Sequence, residues 1–324
     1  MAKERESIFT DNIHTCRGWS QITSEFDSLL KPIPNQEEGD LVRQGWVFRG
    51  HKREDYPLAP SIERVHPYTE WDWAEHKILR EFQSKATLHM DAKQLPPTAR
   101  EHKLSWLAIM QHYGAPTRLL DFTYSPYIAL YFALRNRKDN ESEYAEIWGI
   151  DSASLMGRAY EVSREADKEE SRELEGQTQT EAGPVNFGRL EFYESSLQAA
   201  QRDEEHLGNL VSNALSPRRD NIRREHYNRN GFVAVAFPPT QNPRLASQQG
   251  VFLFNGAESR SFEQSLKLMM KGIDGWYKRF QVPETELSKV EEKLFQFNIH
   301  ELSLFPDIEG LAGFVKQKLR LQFQ

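Results

Sequence analysis

The chain has one cysteine, Cys16, among its 324 residues. No intrachain disulfide can form, and a zinc site closed by thiolates lacks its second sulfur. Cys16 itself reads as an unreactive thiol rather than a nucleophile. Ten histidines are present, but without the spacing of a zinc hydrolase, so no metal is expected. Charge of one sign is missing too: 41 basic residues mix with 48 acidic ones for a formal net charge of −7. That balance leaves no electrostatic footprint for nucleic acid or an anionic membrane. Long hydrophobic runs are also absent. The longest, residues 231–239, is far too short to cross a bilayer. Met1-Ala2-Lys3-Glu4-Arg5-Glu6 is charged with no apolar run behind it. No signal peptide is therefore expected, and the expected compartment is the cytoplasm, with no membrane partner.

Several catalytic signatures are lacking as well. There is no Walker loop, no GxGxxG after a strand and no nucleophile elbow, so no Ser–His–Asp set can be assigned. No repeats are visible. The elements do not alternate as βαβαβ, which argues against a doubly wound parallel sheet.

What is present is a mixture of short strands and amphipathic helices. An apolar and aromatic run at 44–49 reads as the first strand, ending at Gly50 and a polar turn. Helical spacing covers 70–88, with Trp73, Ile78 and Phe82 on the apolar side, and 98–112, with Leu104, Leu107, Ala108 and Met110 inward. Gly114 and Pro116 stop that second helix. The next begins at Ser125-Pro126, a serine N-cap followed by proline in the first turn, and is apolar on nearly every side. Further strands are expected at 144–150, 231–237, 250–254 and 276–282, with helices at 262–270, 284–294 and 307–319. Residues 152–229 change composition and read as an insertion or irregular region. The expectation is an α+β protein: a single domain over 44–319 with a mixed β-sheet flanked by helices, preceded by a helical or loop segment at 1–43.

Three polar clusters stand at the ends of apolar elements. The first is Phe48-Arg49-Gly50. Side chains alternate along a strand, so Arg49 points away from whatever layer buries Phe48. It is either an arginine fork for a phosphate or ribose, or a structural partner of a carboxylate such as Asp121. Gly50 allows a close approach to the backbone. The second is the dense polar run Gln111-His112-Tyr113-Gly114-Ala115-Pro116-Thr117-Arg118-Leu119-Leu120-Asp121-Phe122-Thr123-Tyr124-Ser125 between two apolar helices. Polar groups there must be satisfied by one another or by a ligand. Arg118 and Asp121 can simply pair, and Ser125 can simply cap. The third cluster is Ser247-Gln248-Gln249-Gly250 at a strand entry, where an amide can meet a neighbouring loop or a ribose. A mixed basic run, Arg218, Arg219, Arg223 and Arg224 with Asp220 and Glu225 among them, reads as a solvated helix face.

Together these words resemble the FRG domain, a family named for its aromatic-Arg-Gly motif. They are Trp46-Val47-Phe48-Arg49-Gly50, Leu58-Ala59-Pro60-Ser61-Ile62-Glu63-Arg64, the long run from Gln111 to Thr123 and Ala129-Leu130-Tyr131-Phe132-Ala133. Later ones are Gln248-Gln249-Gly250-Val251-Phe252 and Ser303-Leu304-Phe305-Pro306-Asp307-Ile308-Glu309-Gly310-Leu311-Ala312. The long central run is specific; Phe-Arg-Gly alone is not.

A weaker resemblance, to the Arg–Ser–Glu class of ADP-ribosyltransferases, implies an ADP-ribosyltransferase-like core with an insertion, and chemistry on NAD as substrate. In that pattern the arginine, here Arg49, holds NAD through its phosphate and ribose. Thr123-Tyr124-Ser125 is similar to the Ser-Thr-Ser motif that orients the nicotinamide ribose. Gln249, with Gln248, occupies the entry where that pattern has a catalytic glutamate. An amide can hydrogen-bond a ribose hydroxyl but cannot stabilise an oxocarbenium-like centre as a carboxylate does. Glu63 and Asp121 are the carboxylates inside the family words. The resemblance thus implies Arg49, Thr123, Ser125 and Gln249 as catalytic positions. For NAD binding it implies Arg49, Gly50, Gln111, His112, Tyr113, Arg118, Asp121, Phe122, Tyr124 and Gln248. Phe48, Tyr113, Phe122 and Tyr124 are the candidates for a nicotinamide surface.

Three functions compete. The first is an NAD-dependent ADP-ribosyltransferase or NAD glycohydrolase acting on a protein, a nucleic acid or water, in the manner of a bacterial toxin or antiphage effector. The second is a non-catalytic nucleotide-binding or sensing module, and the third a nucleic-acid binder using the Arg218–Arg224 face.

Overall fold

A computed structural model describes residues 7–30, 45–65, 71–98, 102–138, 141–177, 221–237 and 243–322. Short, largely apolar runs supply seven strands: β1 (Ile13–Thr15), β2 (Trp46–His51), β3 (Leu119–Thr123), β4 (Tyr144–Asp151), β5 (Val233–Ala236), β6 (Gly250–Asn255) and β7 (Tyr277–Pro283). They join in one mixed sheet, ordered β1-β7-β4-β2-β3-β6-β5. β1 runs parallel to β7, and all other neighbours are antiparallel. Helices flank the sheet, so the fold is α+β as expected.

The sheet is held together weakly at its centre. β2 pairs with β4 from Trp46↔Asp151 to His51↔Glu146, and β3 pairs with β6 from Leu119↔Phe254 to Thr123↔Gly250. Between β2 and β3, however, the register has a single pair, Phe48↔Thr123. Beyond that pair the halves diverge, and the opening lies beside Arg49. Helix α5 (Pro126–Leu134) braces β2 from the other face. A Cβ on Gly50 would lie 1.9 Å from the Ala129 carbonyl oxygen and 2.6 Å from the Ala133 nitrogen. The close approach that Gly50 permits is therefore that of a helix backbone.

Two apolar clusters cover the sheet. One gathers Phe48, Ala145, Ile147, Phe280 and Val282 against α5 and against α1 (Trp19–Leu29). The larger one takes Val47, Trp148 and Ile150 together with the side chains of β3, β5 and β6. It is completed by α3 (Trp71–Ala86), α4 (Lys103–His112) and the first half of α6 (Ser152–Gln177). Among the described residues both clusters draw on positions before and after 150. The segment before residue 44 contributes β1 to the sheet and the buried Ile22 and Phe26 of α1.

Three expectations need correcting. In α3, Trp73 is 63% exposed; the inward face is Trp71, Glu75 and Leu79, spaced by four, and a residue two positions from Trp71 points the other way. Residues 152–177 form one long helix, and Leu155, Met156, Ala159, Val162 and Ala166 enter the larger core, which is not irregular structure. Leu119–Thr123, read as a polar connection, is a strand whose Leu119, Leu120 and Phe122 are buried. Gln44, Glu70, Arg218, Arg219 and the presumed loop at 178–220 lie outside the described residues. Cys16 is fully buried, and burial with a nearby Glu25 pushes its thiol up to about 12.

Candidate functional site

Alternation on β2 sets the site. Phe48 is fully buried toward α5, so Arg49 and His51 project from the opposite face. There they wall a cavity of about 1360 Å³ that opens where β2 leaves β3. The Arg49 side chain spans that opening: Nη1 donates to the Asp121 carbonyl oxygen at 2.8 Å, and Nε donates to His51 Nε2 at 3.1 Å. With Nε2 accepting, the His51 ring carries its proton on Nδ1. Burial first, then Arg49 and Arg64, hold His51 well below its ordinary value, so the ring is neutral and serves as an acceptor. Arg49 is half-buried by its own surface yet enclosed by the cavity walls. Burial, opposed by Asp121 and aided by Arg64, lowers it to about 10. It remains charged at neutral pH.

No carboxylate pairs with Arg49 among the described residues; its partners are a carbonyl and an imidazole. Asp121, exposed on β3, likewise makes no side-chain hydrogen bond or ion pair among them. Its field reaches both Arg49 and Arg64. Arg64, in the short helix α2 (Ser61–Val65), donates to the Ala59 carbonyl. Lys52 and Arg244 add two more cations to the lining, and Tyr56, Phe122 and Phe132 add aromatic surface. The other lining acids are engaged. Glu63 accepts from Phe262 N at 2.8 Å, while Glu263 accepts from Ile8 N, Leu58 N and Ser7 Oγ at 2.8–2.9 Å. Burial nevertheless raises the Glu263 carboxyl.

The sequence candidates divide into two groups. Arg49, Gly50, Gln111, His112, Asp121, Phe122, Thr123 and Gln248 line the cavity. Tyr113, Arg118, Tyr124, Ser125 and Gln249 are not among the lining residues. Arg118 is buried in the core, where Glu75 binds its Nε at 3.2 Å, its Nη2 at 3.0 Å and its backbone N at 3.0 Å. Lys103 Nζ stands 3.7 Å from the same carboxylate. The Arg118–Asp121 and Arg49–Asp121 carboxylate pairings are thus not formed. Ser125 caps α5, accepting from Ile128 N at 3.3 Å. Tyr113 is 61% exposed, and Tyr124 packs on the larger core. Gln249 is exposed in the left-handed region at φ 47°, just after the helix α8 (Pro243–Ser247). α7 (Asn221–Asn230) holds the described part of the basic run. There Arg223 is paired with Asp167 and Glu170, and Arg224 stands 3.9 Å from Glu258.

Two lining residues are tied up internally. The Thr123 hydroxyl donates to the Gln248 carbonyl at 2.7 Å and accepts from Ser125 N at 3.1 Å. The Gln248 amide donates to Leu304 O at 3.0 Å, in the short helix α11 (Glu301–Leu304). His51, Arg64 and Arg244 were missed as site residues. His51 had a signal, being two positions from Arg49 on the same strand face. Arg244 had none in local sequence, because its position depends on how α8 docks.

A family model for the FRG domain matches residues 44–142. The later words at 248–252 and 303–312 lie beyond that match. No curated protein and no solved structure matches the chain. Residues 44–142, from the strand that carries Arg49 to the loop beyond α5, are an FRG domain.

Proposed function

We propose that the cavity binds NAD and that the protein splits the nicotinamide–ribose bond, passing ADP-ribose to water or to a protein or nucleic-acid acceptor. One observation carries this reading: across the open sheet, a guanidinium without a carboxylate partner faces a carboxylate without a donor. A cavity of about 1360 Å³ exceeds the ~300–1,000 Å³ common for small ligands and leaves room for a dinucleotide. Arg49 and Arg64 offer planar donors to a pyrophosphate. Tyr56, partly exposed in the lining, offers an aromatic face for one of the two bases.

The chemistry follows from where charge develops. Nicotinamide leaves with the electron pair of its bond to the ribose, which neutralises the pyridinium and leaves positive charge on the sugar. Asp121 stabilises that charge and takes the proton of the attacking water or acceptor hydroxyl. It thereby fills the role of the glutamate that Gln248 and Gln249 cannot play. An ADP-ribosyltransferase-like core and a toxin or antiphage role belong to the same reading and rest on family analogy.

A second reading, a nucleotide-binding module without turnover, is favoured by the state of Thr123. Its hydroxyl is already engaged as donor and acceptor, so it does not orient a ribose unless that contact breaks. Nicotinamide release by the purified protein, measured beside NAD binding by calorimetry, separates the two. Release that Asp121→Asn lowers at least tenfold, in a protein that still unfolds at the wild-type temperature, supports the enzyme. Binding without release supports the module. Neither binding nor release sinks both.

A further inference from the structure

The helix α12 (Ile308–Gln322) packs one face on the body of the protein and carries apolar side chains on the opposite, exposed one. Its inner face carries Gly310, Gly313, Phe314 and Gln317. A Cβ on Gly310 would sit 1.8 Å from the Phe305 carbonyl oxygen, so the helix lies directly on the chain leaving α11. Phe314 stacks on Phe295 with centroids 5.6 Å apart, and Gln317 donates to Glu291 at 3.0 Å. The outer face, half a turn round, carries Ile308, Leu311, Val315 and Leu319, which are 77, 43, 60 and 59% exposed. Steps of three and four residues make them a continuous stripe along the helix. A solvated helix face normally carries polar residues there, and single exposed apolar residues need no account, but a four-residue stripe marks an interaction surface.

The charges bordering the stripe choose its partner. Glu309 and Lys316 lie on one edge, one heptad apart; Asp307 and Lys318 lie on the other. None of Glu309, Lys316 and Lys318 makes a hydrogen bond or ion pair among the described residues. We infer that the stripe pairs with that of a second copy of this chain, antiparallel, in an isologous twofold contact. Antiparallel packing sets Glu309 against Lys316 of the other copy and Asp307 against Lys318, on both edges at once. It also lays Ile308 over the Leu319 end and Leu311 beside Val315. Parallel packing would place like charges together on each edge and is disfavoured. A single helix of this length buries an area at the low end of specific interfaces, so the dimer is concentration-dependent.

Sedimentation equilibrium of the full chain across roughly 1 to 100 µM, a span that resolves micromolar association, tests this directly. The wild type is expected to shift from monomer to dimer. Val315→Asp is expected to stay monomeric while keeping the wild-type thermal midpoint, because that side chain faces away from the core. Glu309→Lys and Lys316→Glu should each raise the dissociation constant about tenfold or more as like charges meet. An equimolar mixture of these two variants should dimerise at least as well as wild type, because every edge contact then joins opposite charges. A wild type that remains monomeric throughout, a dimer indifferent to Val315→Asp, or a mixture no better than its parts overturns the inference. None of these readouts depends on NAD.

Discussion

Arg49 and Arg118 belong to the same domain, and the fold treats them in opposite ways. Arg118 is 1% exposed and is held by Glu75 through its side chain and its backbone, with Lys103 close by. Burial alone would raise the Glu75 carboxyl, yet the two cations and their bonds together pull it below its ordinary value. That site is closed: the Arg118 charge meets a buried carboxylate that binds its Nε, its Nη2 and its backbone N. Arg49 sits in a cavity wall with a carbonyl and a neutral imidazole as partners and an unengaged carboxylate opposite. An arginine held by a buried carboxylate is structural, whereas one given only neutral partners keeps charge available for an anion.

The largest expected effect breaks the closed site. Glu75→Ala removes the carboxylate that holds Arg118 and lies beside Lys103, breaking a buried ion pair, a loss of ~3–5 kcal/mol of stability that a denaturant titration would register. The thermal midpoint should drop sharply, and any NAD binding should fall only in step with the folded fraction. A mild effect would mean that Arg118 is not held as described.

A second buried acid sharpens the contrast. Glu146 on β4 is fully buried beside Arg279, whose Nε lies 3.0 Å from its Oε1, and Gln281 Nε2 donates to the same oxygen at 3.2 Å. Here burial outweighs its partners and raises the carboxyl to about 7. A folded-state value above the unfolded one means that the native protein binds the proton more tightly. Its contribution is therefore fully present below about pH 4.5 and is lost as pH rises through about 7. The loss amounts to about 3 kcal/mol. Chemical denaturation at steps between those pH values should show it, and Glu146→Gln should flatten that part of the profile. A Glu146→Gln profile as steep as the wild type would reassign the effect.

Arg49→Ala tests the open site. Its contacts within the protein are few, so the fold should survive with a stability change under about 1 kcal/mol. NAD affinity should instead fall about ten- to a hundredfold, the ~1.5–3 kcal/mol of a charge-assisted contact. Arg49→Lys should recover only part of it, since an ammonium lacks the planar fork. Unfolding of Arg49→Ala would make the two arginines alike and erase the comparison.

The smallest effect concerns Ser125, proposed for the site but found as a cap. Ser125→Ala should cost ~1 kcal/mol of stability through the unsatisfied first turn of α5. With the folded fraction corrected for, NAD binding should not move. A selective loss of binding would return Ser125 to the site.

The residues by themselves determined the elements whose signals are local. Period-2 alternation put Phe48 and Arg49 on opposite faces, Ser125-Pro126 marked the start of α5, and continuous apolar runs marked β4, β5 and β6. The family words between 46 and 133 are of the same local kind and fall inside the matched residues 44–142, while those at 248–252 and 303–312 fall outside. Tertiary structure decided what depended on partners distant in sequence. Glu75 takes Arg118 and so leaves Asp121 unengaged; α5 fills the space above Gly50; the Gln248 carbonyl occupies the Thr123 hydroxyl at the cavity wall. β3 escaped notice because a five-residue strand between polar turns has little periodicity of its own and is defined by pairing with β6. Sequence spacing constrains which side chains share a face, but charge pairing is settled by which faces meet, and the same arginine chemistry becomes a core brace or a cavity wall according to that docking alone.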